Sequence, residues 1–452
     1  MRTSTSLRVL LFGKDGRTDA IASAIRKSMT TCILAVYSEF SIRGLIEKAD
    51  EFRIGKLTDV TAMLAFAREF KPDLVIVGPE EPLEAGLVDA LSTALRVPCF
   101  GPPQRLAKIE TNKSWAREVV DTYQIPGNPE YRRFLSTDGL KSYVHDLGNV
   151  VVKPEGLTGG KGVRVMGDDL SADMAISYAR EIIETTGAVI IEERLEGEEF
   201  SLQTITDGEC FIHCPLVQDH KRAYSEDKGP NTGGMGSYSM PDGLLPFLET
   251  PDVERAKATN EAVIRALHSK TGQPYKGVLY GGFMAVRNGI RLIEYNARFG
   301  DPEAMNVLPV LATDFLELCW AVATGSLSSV KAQFEDKATV CKYVVPKFYP
   351  EEHSGDDIIT VDESMLLEPG IECFWAATNL GEDGKVRLTG SRGLAFVGIG
   401  KTLAEAERLA ERGASSVGGM VRHREDIGSS RLVEQRVQHM KYLRSHHSNQ
   451  AP

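Results

Sequence analysis

Hydrophobic and polar positions alternate on two scales along this chain. LRVLLFGKDGRTDAIASAI opens on an apolar run of strand length, Leu7 to Phe12, breaks at Gly13 and resumes with helical spacing. TCILAVYS predicts the next strand. Residues 58–70 predict a helix with Val60, Leu64, Ala67 and Phe70 on one stripe, and DLVIVGPEEPL predicts a buried strand running into a polar Gly-Pro loop. Such β-α-β alternation predicts a parallel sheet over roughly the first hundred residues, closed by FGPP at 100–103.

From Leu106 the pattern turns helical. NVVVKPEGLTGGKGVRVMG then predicts two strands joined by a glycine loop, and AVIIEERLEGEEFSLQTITDGECFIHC continues in strands with acidic connections. A helix is expected at about 252–271, further strands at VLYGGFMAV and RLIEYNARFGDPE, and a short apolar helix at DFLELCWAVATG. After about Ser326 the texture changes to short strands (KATVCKYVVP, IECFWAAT, VRLTGSRGLAFVGIG) and one amphipathic helix, LAEAERLAERGASSVG. The end, YLRSHHSNQAP, reads as a frayed tail. The fold class is α/β and α+β multidomain: an N-terminal parallel α/β domain over 1–105, a central domain over 106–326 and a small C-terminal α+β domain over 327–452.

Charge and cysteine usage narrow the function. A net charge of −11 argues against a nucleic-acid surface but leaves anionic substrates open, since local charge in a cleft outweighs the total. The seven cysteines are scattered without a C-x-x-C pair, so reduced thiols in a cytoplasmic protein are expected rather than zinc ligands or disulfides. The N-terminal apolar run is too short for a secretory signal, and no apolar run approaches the ~20 residues of a membrane span.

Four segments carry candidate chemistry. In the run Asp219–Gly236, Asp219, Lys221, Arg222 and Asp227 precede Pro230-Asn231-Thr232 and the glycines Gly233, Gly234 and Gly236, a composition suited to a small, highly charged substrate of several parts. In Lys153-Pro-Glu-Gly156-Leu-Thr-Gly159-Gly160-Lys161-Gly162 an embedded lysine sits in a glycine loop, but the order is not that of a Walker A loop. Folding over a triphosphate and an ordinary flexible hairpin both fit that spacing. Glu294, Asn296 and Arg298 fall on one face if their segment is a strand, giving a carboxylate and an amide oxygen suited to Mg²⁺ and a guanidinium suited to an oxyanion. Glu192 to Glu199 is an acidic strand exit, either a solvated face or a nucleotide edge. His220 is a proton carrier or a structural histidine; His213, Cys210 and Cys214 read as strand or core residues. The first turn, Gly13-Lys14-Asp15-Gly16, is not the nicotinamide fingerprint.

Together these segments resemble the ATP-grasp superfamily, and within it the phosphoribosylamine–glycine ligase family. QDHKR with DKGPNTGGMGSYS at 218–239, VGPEEPL at 77–83, KPEGLTGGKGV at 153–163, IEERLEGEE at 191–199, YNARFGDPE at 295–303 and RHREDIG at 422–428 follow the family's order across essentially the whole chain. The resemblance implies a pre-ATP-grasp N-terminal domain, and a central ATP-grasp domain with a glycine-loop lid at about 126–196. It implies ATP-dependent joining of glycine to 5-phosphoribosylamine through glycyl phosphate, the second step of purine synthesis, with Mg²⁺ or Mn²⁺. It also implies a monomer or dimer without nucleic-acid or membrane partners.

By that resemblance Lys113, Lys153 and the loop Gly156, Gly159, Gly160, Lys161 and Gly162 would hold the ATP phosphates. Glu192, Glu193, Leu195 and Glu199 would hold the nucleoside, and Glu294 and Asn296 the metal. Arg298 with Asp219, Lys221, Arg222, Asp227 and Asn231 would hold the acyl phosphate and the ribosylamine. Two departures stand out. Relatives carry Gly-Gly-Arg-Glu-His-Ala where this chain has Asp15-Gly16-Arg17-Thr18-Asp19-Ala20, and a further metal-ligand position falls on about Gly282, which has no side chain. A ligase for another amine or acid, and a silent nucleotide sensor, are the alternatives.

Overall fold

The computed structural model describes residues 6–157, 162–351 and 356–446. Its first unit is a five-stranded parallel sheet in the order Glu51–Ile54, Cys32–Ser38, Leu7–Phe12, Leu74–Val77, Cys99–Phe100. The central strands are apolar on both faces because helices cover both, as parallel sheets require. The helix Gly16–Lys27 starts where Asp15 accepts from the Thr18 amide at 2.9 Å. The helix Val60–Phe70 buries Met63, Phe66, Ala67 and Phe70. The expected stripe is therefore rotated: Val60 is the first helical residue and, like Leu64, only half-buried.

A four-stranded antiparallel sheet follows in the order Phe211–His213, Glu198–Thr206, Gly277–Val286, Gly289–Asn296. The long helix Thr250–Thr271 packs on it, started by a reciprocal Glu249–Asp252 capping box and stopped by Gly272 at φ 72°. Strand pairing sets Gly282 opposite Glu294 and Tyr280 opposite Asn296. The strand ends at Asn296, so Glu294 and Asn296 share a face while Arg298 lies past the strand end.

A second four-stranded sheet, in the order Tyr131–Phe134, Val189–Glu193, Val150–Pro154, Arg164–Val165, includes the hairpin expected around the glycine loop. Its core, built on Phe134, Val150, Val152, Ile176, Val189 and Ile191, is separate from the large core shared by the rest of the molecule.

The C-terminal sheet reaches back along the chain. Its order is Gln218–Asp219, Gly236–Ser239, Ala338–Pro346, Leu394–Gly400, Ile371–Trp375, with Val421–Arg422 beside the Ala338–Pro346 strand. Both ends of the 219–236 run are thus strands of that sheet. Gly236 is glycine for a steric reason: at φ 146° an added Cβ would stand 2.1 Å from the Cys341 carbonyl oxygen across the strand pair. A helix, Ser430–Ser445, follows, capped by Ser429 and buried only at Leu432, Val433, Met440 and Leu443; of the end expected to fray, Tyr442–Ser445 close this helix and 447–452 lie outside the described residues. Among the described residues no helix is long and apolar enough to cross a membrane, and all seven cysteines are free thiols.

Gly236→Ala is expected to destabilise the fold by about 3 kcal/mol, since backbone must move to admit the methyl group. Gly272→Ala, at positive φ with nothing within 4 Å of the added Cβ, is the control and should cost only about 1 kcal/mol. Urea unfolding of both variants decides it; equal losses would show that the strand contact is not limiting.

Candidate active site

All three units open onto one cleft of about 1290 Å³. Its floor is the Gly289–Asn296 strand and its roof the sheet that carries Lys153. At the back of the cleft, Glu192 is 3% exposed and shared by two cations. Arg117 donates to it through Nε at 2.7 Å and Nη2 at 2.8 Å, and Lys153 Nζ donates at 2.6 Å. The cations also reach the main chain of the floor: Arg117 meets the carbonyls of Leu292 and Ile293, and Lys153 meets that of Ile293 at 3.2 Å. Burial alone would raise the Glu192 carboxyl, but Arg117 and Lys153 hold it down to about 2. The Glu192 carboxylate is thus committed to Arg117 and Lys153, and it fixes Lys153 in place.

The half-buried Glu294 sits amid positive charge. Burial would raise its carboxyl, but Lys221, Lys153, Lys113 and Arg298 together lower it. Lys221 lies 4.0 Å from Glu294 and 3.2 Å from Glu199, and these carboxylates raise its ammonium group well above the ordinary value. Lys113 Nζ donates to the Gly156 carbonyl at 2.7 Å, and burial lowers its pKa. Tyr178 donates to the Gly162 carbonyl at 2.9 Å. Gly159, Gly160 and Lys161 lie outside the described residues.

Arg298 is less available than its position suggested. Its Nε donates to Glu80 at 3.1 Å, Nη2 pairs with Glu110 at 2.8 Å, and Nη2 also reaches Asn296 Oδ1 at 3.3 Å. Glu110 in turn accepts from the Ala297 amide at 2.7 Å, and burial, partly offset by Arg298, raises its carboxyl to about 7. Arg298 is thus paired with Glu80 and Glu110 and reaches Asn296 from the cleft wall.

The 219–236 run is a hairpin, Arg222–Tyr224 against Lys228–Asn231, with Glu226 and Asp227 in left-handed conformations at φ 58° and 50°. Arg222 ties it to the lid, pairing with Asp168 and Asp169 at 3.3 and 3.2 Å. Asp227 is taken by Arg424 at 3.0 Å and by Arg436; burial opposes its ionisation but these cations lower it to about 2. Asp219, Lys221 and Asn231 line the cleft. Asp219 is raised well above the usual carboxylate range by burial and by the neighbouring Glu303.

The glycines do not form a free amide nest. Gly233 N donates to Tyr349 and Gly234 N to Thr232, while a Cβ at Gly234 would meet Pro302 and Asp219 within 3 Å. Burial and then Arg424 lower His220 to about 3, so it is a neutral imidazole and not a proton carrier near neutral pH. His213 is a strand residue, its ring placed between Thr204 and Glu261.

The divergent N-terminal turn resolves cleanly. Lys14, Asp15 and Arg17 line the cleft, whereas Thr18 and Asp19 are fully buried. Thr18 Oγ1 donates to Asp15 at 2.6 Å; Asp19 accepts from Lys48 at 2.7 Å and from the Trp375 amide at 2.9 Å. Those two exchanged residues bind the N-terminal helix to its neighbours and to the C-terminal sheet.

Among the cleft residues that escaped sequence reasoning are Arg117, Glu110 and Arg392. Arg392 donates to the carbonyls of Gly233, Gly234 and Asp301 at 2.6, 3.2 and 3.1 Å, gripping the glycine cluster from the C-terminal unit. Only Ser391-Arg392-Gly393 offered a local signal, an arginine beside a loop glycine.

A divalent cation suits Glu294 and Asn296. They offer hard oxygens from one strand face, and a Cβ at Gly282, paired opposite Glu294, would stand 3.4 Å from Glu294 Cγ. Among the described residues no group of three or more His, Cys, Asp and Glu side chains forms a metal cage. That donor set fits Mg²⁺ or Mn²⁺ completed by phosphate and water.

Arg117→Met should cost about 3–5 kcal/mol, because it leaves Glu192 with one cation in a buried site. The acid dependence gives an independent readout. A carboxylate lowered from 4.5 to about 2 on folding contributes stability that is complete above pH 4.5 and lost as pH falls through about 2. That contribution is on the order of 3 kcal/mol. In the variant the slope of urea-unfolding stability between pH 4.5 and 2 should flatten; an unchanged slope would mean Arg117 does not set the Glu192 pKa.

The family comparisons agree with one another. Models described as phosphoribosylglycinamide synthetase N domain, ATP-grasp (A) domain and C domain match residues 7–110, 111–304 and 339–430. A phosphoribosylamine–glycine ligase of Methanopyrus kandleri is 46% identical over 449 residues, covering 97% of this chain and 99% of the relative. That of Methanocaldococcus jannaschii is 43% identical over 447 residues, covering 97% and 100%. The crystal structure of phosphoribosylamine–glycine ligase from Thermotoga maritima superposes with a TM-score of 0.76 at 25% identity, over 93% of this chain and all of that one. An N5-carboxyaminoimidazole ribonucleotide synthetase in complex with ADP shares the fold at 14% identity and a TM-score of 0.63. With its three units matched in order and its relatives aligned nearly end to end, this chain belongs to the phosphoribosylglycinamide synthetase family of ATP-grasp proteins.

Proposed function

We propose that the chain joins glycine to 5-phosphoribosylamine using ATP, giving glycinamide ribonucleotide, ADP and phosphate. The observation that carries this reading is the convergence of Lys113, Lys153, Lys221 and Arg298 on Glu294 in a cleft walled by all three units. A carboxylate is a poor acyl donor until phosphorylated. A glycine carboxylate oxygen attacks the γ-phosphorus, the bond to the β-phosphate oxygen breaks, and ADP leaves. The ribosylamine nitrogen then attacks the acyl carbon, the bond from that carbon to the bridging phosphate oxygen breaks with its electron pair leaving on the oxygen, and the cationic nitrogen sheds its proton to the departing phosphate. Such phosphoryl transfer needs positioning and charge neutralisation more than covalent help.

Lys113, Lys153 and the 156–162 loop hold the phosphates in this reading. Glu193 and Leu195 present main chain to the base, and Glu199 faces the ribose. Lys153 arrives already oriented by Glu192, so no reorganisation is needed when charge develops. Glu294 and Asn296 would hold Mg²⁺ or Mn²⁺, which would supply positive charge against the phosphates. Asp219, Lys221 and Asn231 meet the amine and acyl phosphate, with Arg298 neutralising their surroundings. Of the exchanged residues Thr18 and Asp19 face inward, while Asp15, where relatives carry glycine, lines the cleft beside Arg17; a panel of amines and acids tests whether that exchange alters substrate choice.

The test is ADP release that requires glycine and phosphoribosylamine together; turnover independent of either sinks the assignment. Glu294→Gln is expected to abolish turnover almost completely while circular dichroism and melting temperature stay native. Lys153→Met should lower kcat by about 10²–10³-fold, the usual loss for one preorganised charge contact. Unchanged activity in Glu294→Gln would remove that residue from the metal site.

A further inference from the structure

The match to the family's C domain ends at residue 430, where the helix Ser430–Ser445 begins. That helix nevertheless contributes two side chains to the cleft, Arg436 and His439. Arg436 Nη2 donates to Asp227, and its Nε lies 3.3 Å from Glu198 Oε2. His439 Nδ1 is 2.6 Å from the other Glu198 oxygen. Glu198 opens the strand Glu198–Thr206 at the end of the acidic segment Glu192–Glu199 and precedes Glu199, the partner of Lys221. Asp227 sits at the hairpin tip in a left-handed conformation that needs support from outside. One guanidinium therefore joins the nucleotide strand to the substrate hairpin. Arg431 adds a second hold on the tip through Glu226 at 2.8 Å. His220, 2% exposed and also in the cleft wall, has both ring nitrogens unpartnered among the described residues, so the imidazole does not itself anchor the hairpin.

We propose that Arg436 is a positioning residue for the reaction, and that the C-terminal helix acts as a clamp setting the 219–236 hairpin against the nucleotide strand through Asp227 and Glu198. The guanidinium is a rigid fork that can face two carboxylates at once, whereas a lysine is a single point charge. The clamp acts through Asp227 and Glu198. Its effect is on where Lys221, Asn231 and Glu199 stand. The substrates named rest on the reading above; the geometry does not.

The experiment compares Arg436→Met and Arg436→Lys with Arg444→Met, all in the full chain. Arg444 docks the same helix, on Glu249 at 3.1 Å and Asp252 at 2.5 Å, and does not line the cleft. Arg436→Met should raise the KM for phosphoribosylamine about tenfold and weaken MgADP binding about fivefold by calorimetry, with kcat changed less than about threefold. Arg436→Lys should fall between the wild type and the Met variant, and Arg444→Met should leave both affinities within about twofold. Unchanged affinities in both Arg436 variants would overturn the proposal, as would an equal loss in Arg444→Met. If Arg436→Met does not fold, Arg436→Lys against Arg444→Met still decides it. MgADP titration does not require the proposed reaction. Failure of glycine-dependent turnover in a wild type that binds MgADP would strike the functional reading and leave the clamp measurable.

Discussion

Glu192 cannot be buried as a carboxylate without its two cations, and much of the cleft follows from that constraint. Removing such an ion from water costs several kcal/mol unless close opposite charges and hydrogen bonds replace the solvent. Arg117 and Lys153 do so, and both also hydrogen-bond to the main chain at Leu292 or Ile293. The helix Lys113–Thr122, the roof strands and the floor strand are thereby drawn to one point. The same contacts fix the height of Lys153 above Glu294. An electrostatic requirement of folding thus becomes the preorganisation that phosphoryl transfer uses.

The 219–236 hairpin is held by the same logic with different partners. Its ends are strands of the C-terminal sheet, its glycines are gripped by Arg392, its side is tied to the lid by Arg222, and its tip is caught by Arg424 and Arg436. Most of the charged residues that made this run conspicuous in the sequence are committed to intramolecular pairs. Asp219, Lys221 and Asn231 remain on the cleft side. The run is better understood as a braced platform with a few presented groups than as a loop that wraps its ligand.

The local patterns were legible where a short-range rule governs them. The parallel sheet, the hairpin around the glycine loop, the long helix near 252–271 and the Glu294–Asn296 face follow from periodicity and turn residues. The C-terminal helix was not legible because four buried side chains in sixteen residues leave almost no apolar stripe. The pairing of Glu192 was not legible because its partner Arg117 lies 75 positions away, and a long-range ion pair leaves no local trace. The glycines of the run were ambiguous for another reason. Close backbone packing and ligand approach demand the same absence of a Cβ, and only the Cys341 and Asp219 contacts separate the two.

The roof sheet has its own small core, distinct from the one that unites the rest of the molecule. Its joint to the rest of the molecule is therefore made largely of charge: the buried contacts of Arg117 with Glu192 and of Lys153 with Ile293 on one side, and the more exposed pairs of Arg222 with Asp168 and Asp169 on the other. Mobile ions screen the exposed set and barely reach the buried one. Salt added to the medium therefore loosens the outer rim of that joint and leaves its buried seat intact.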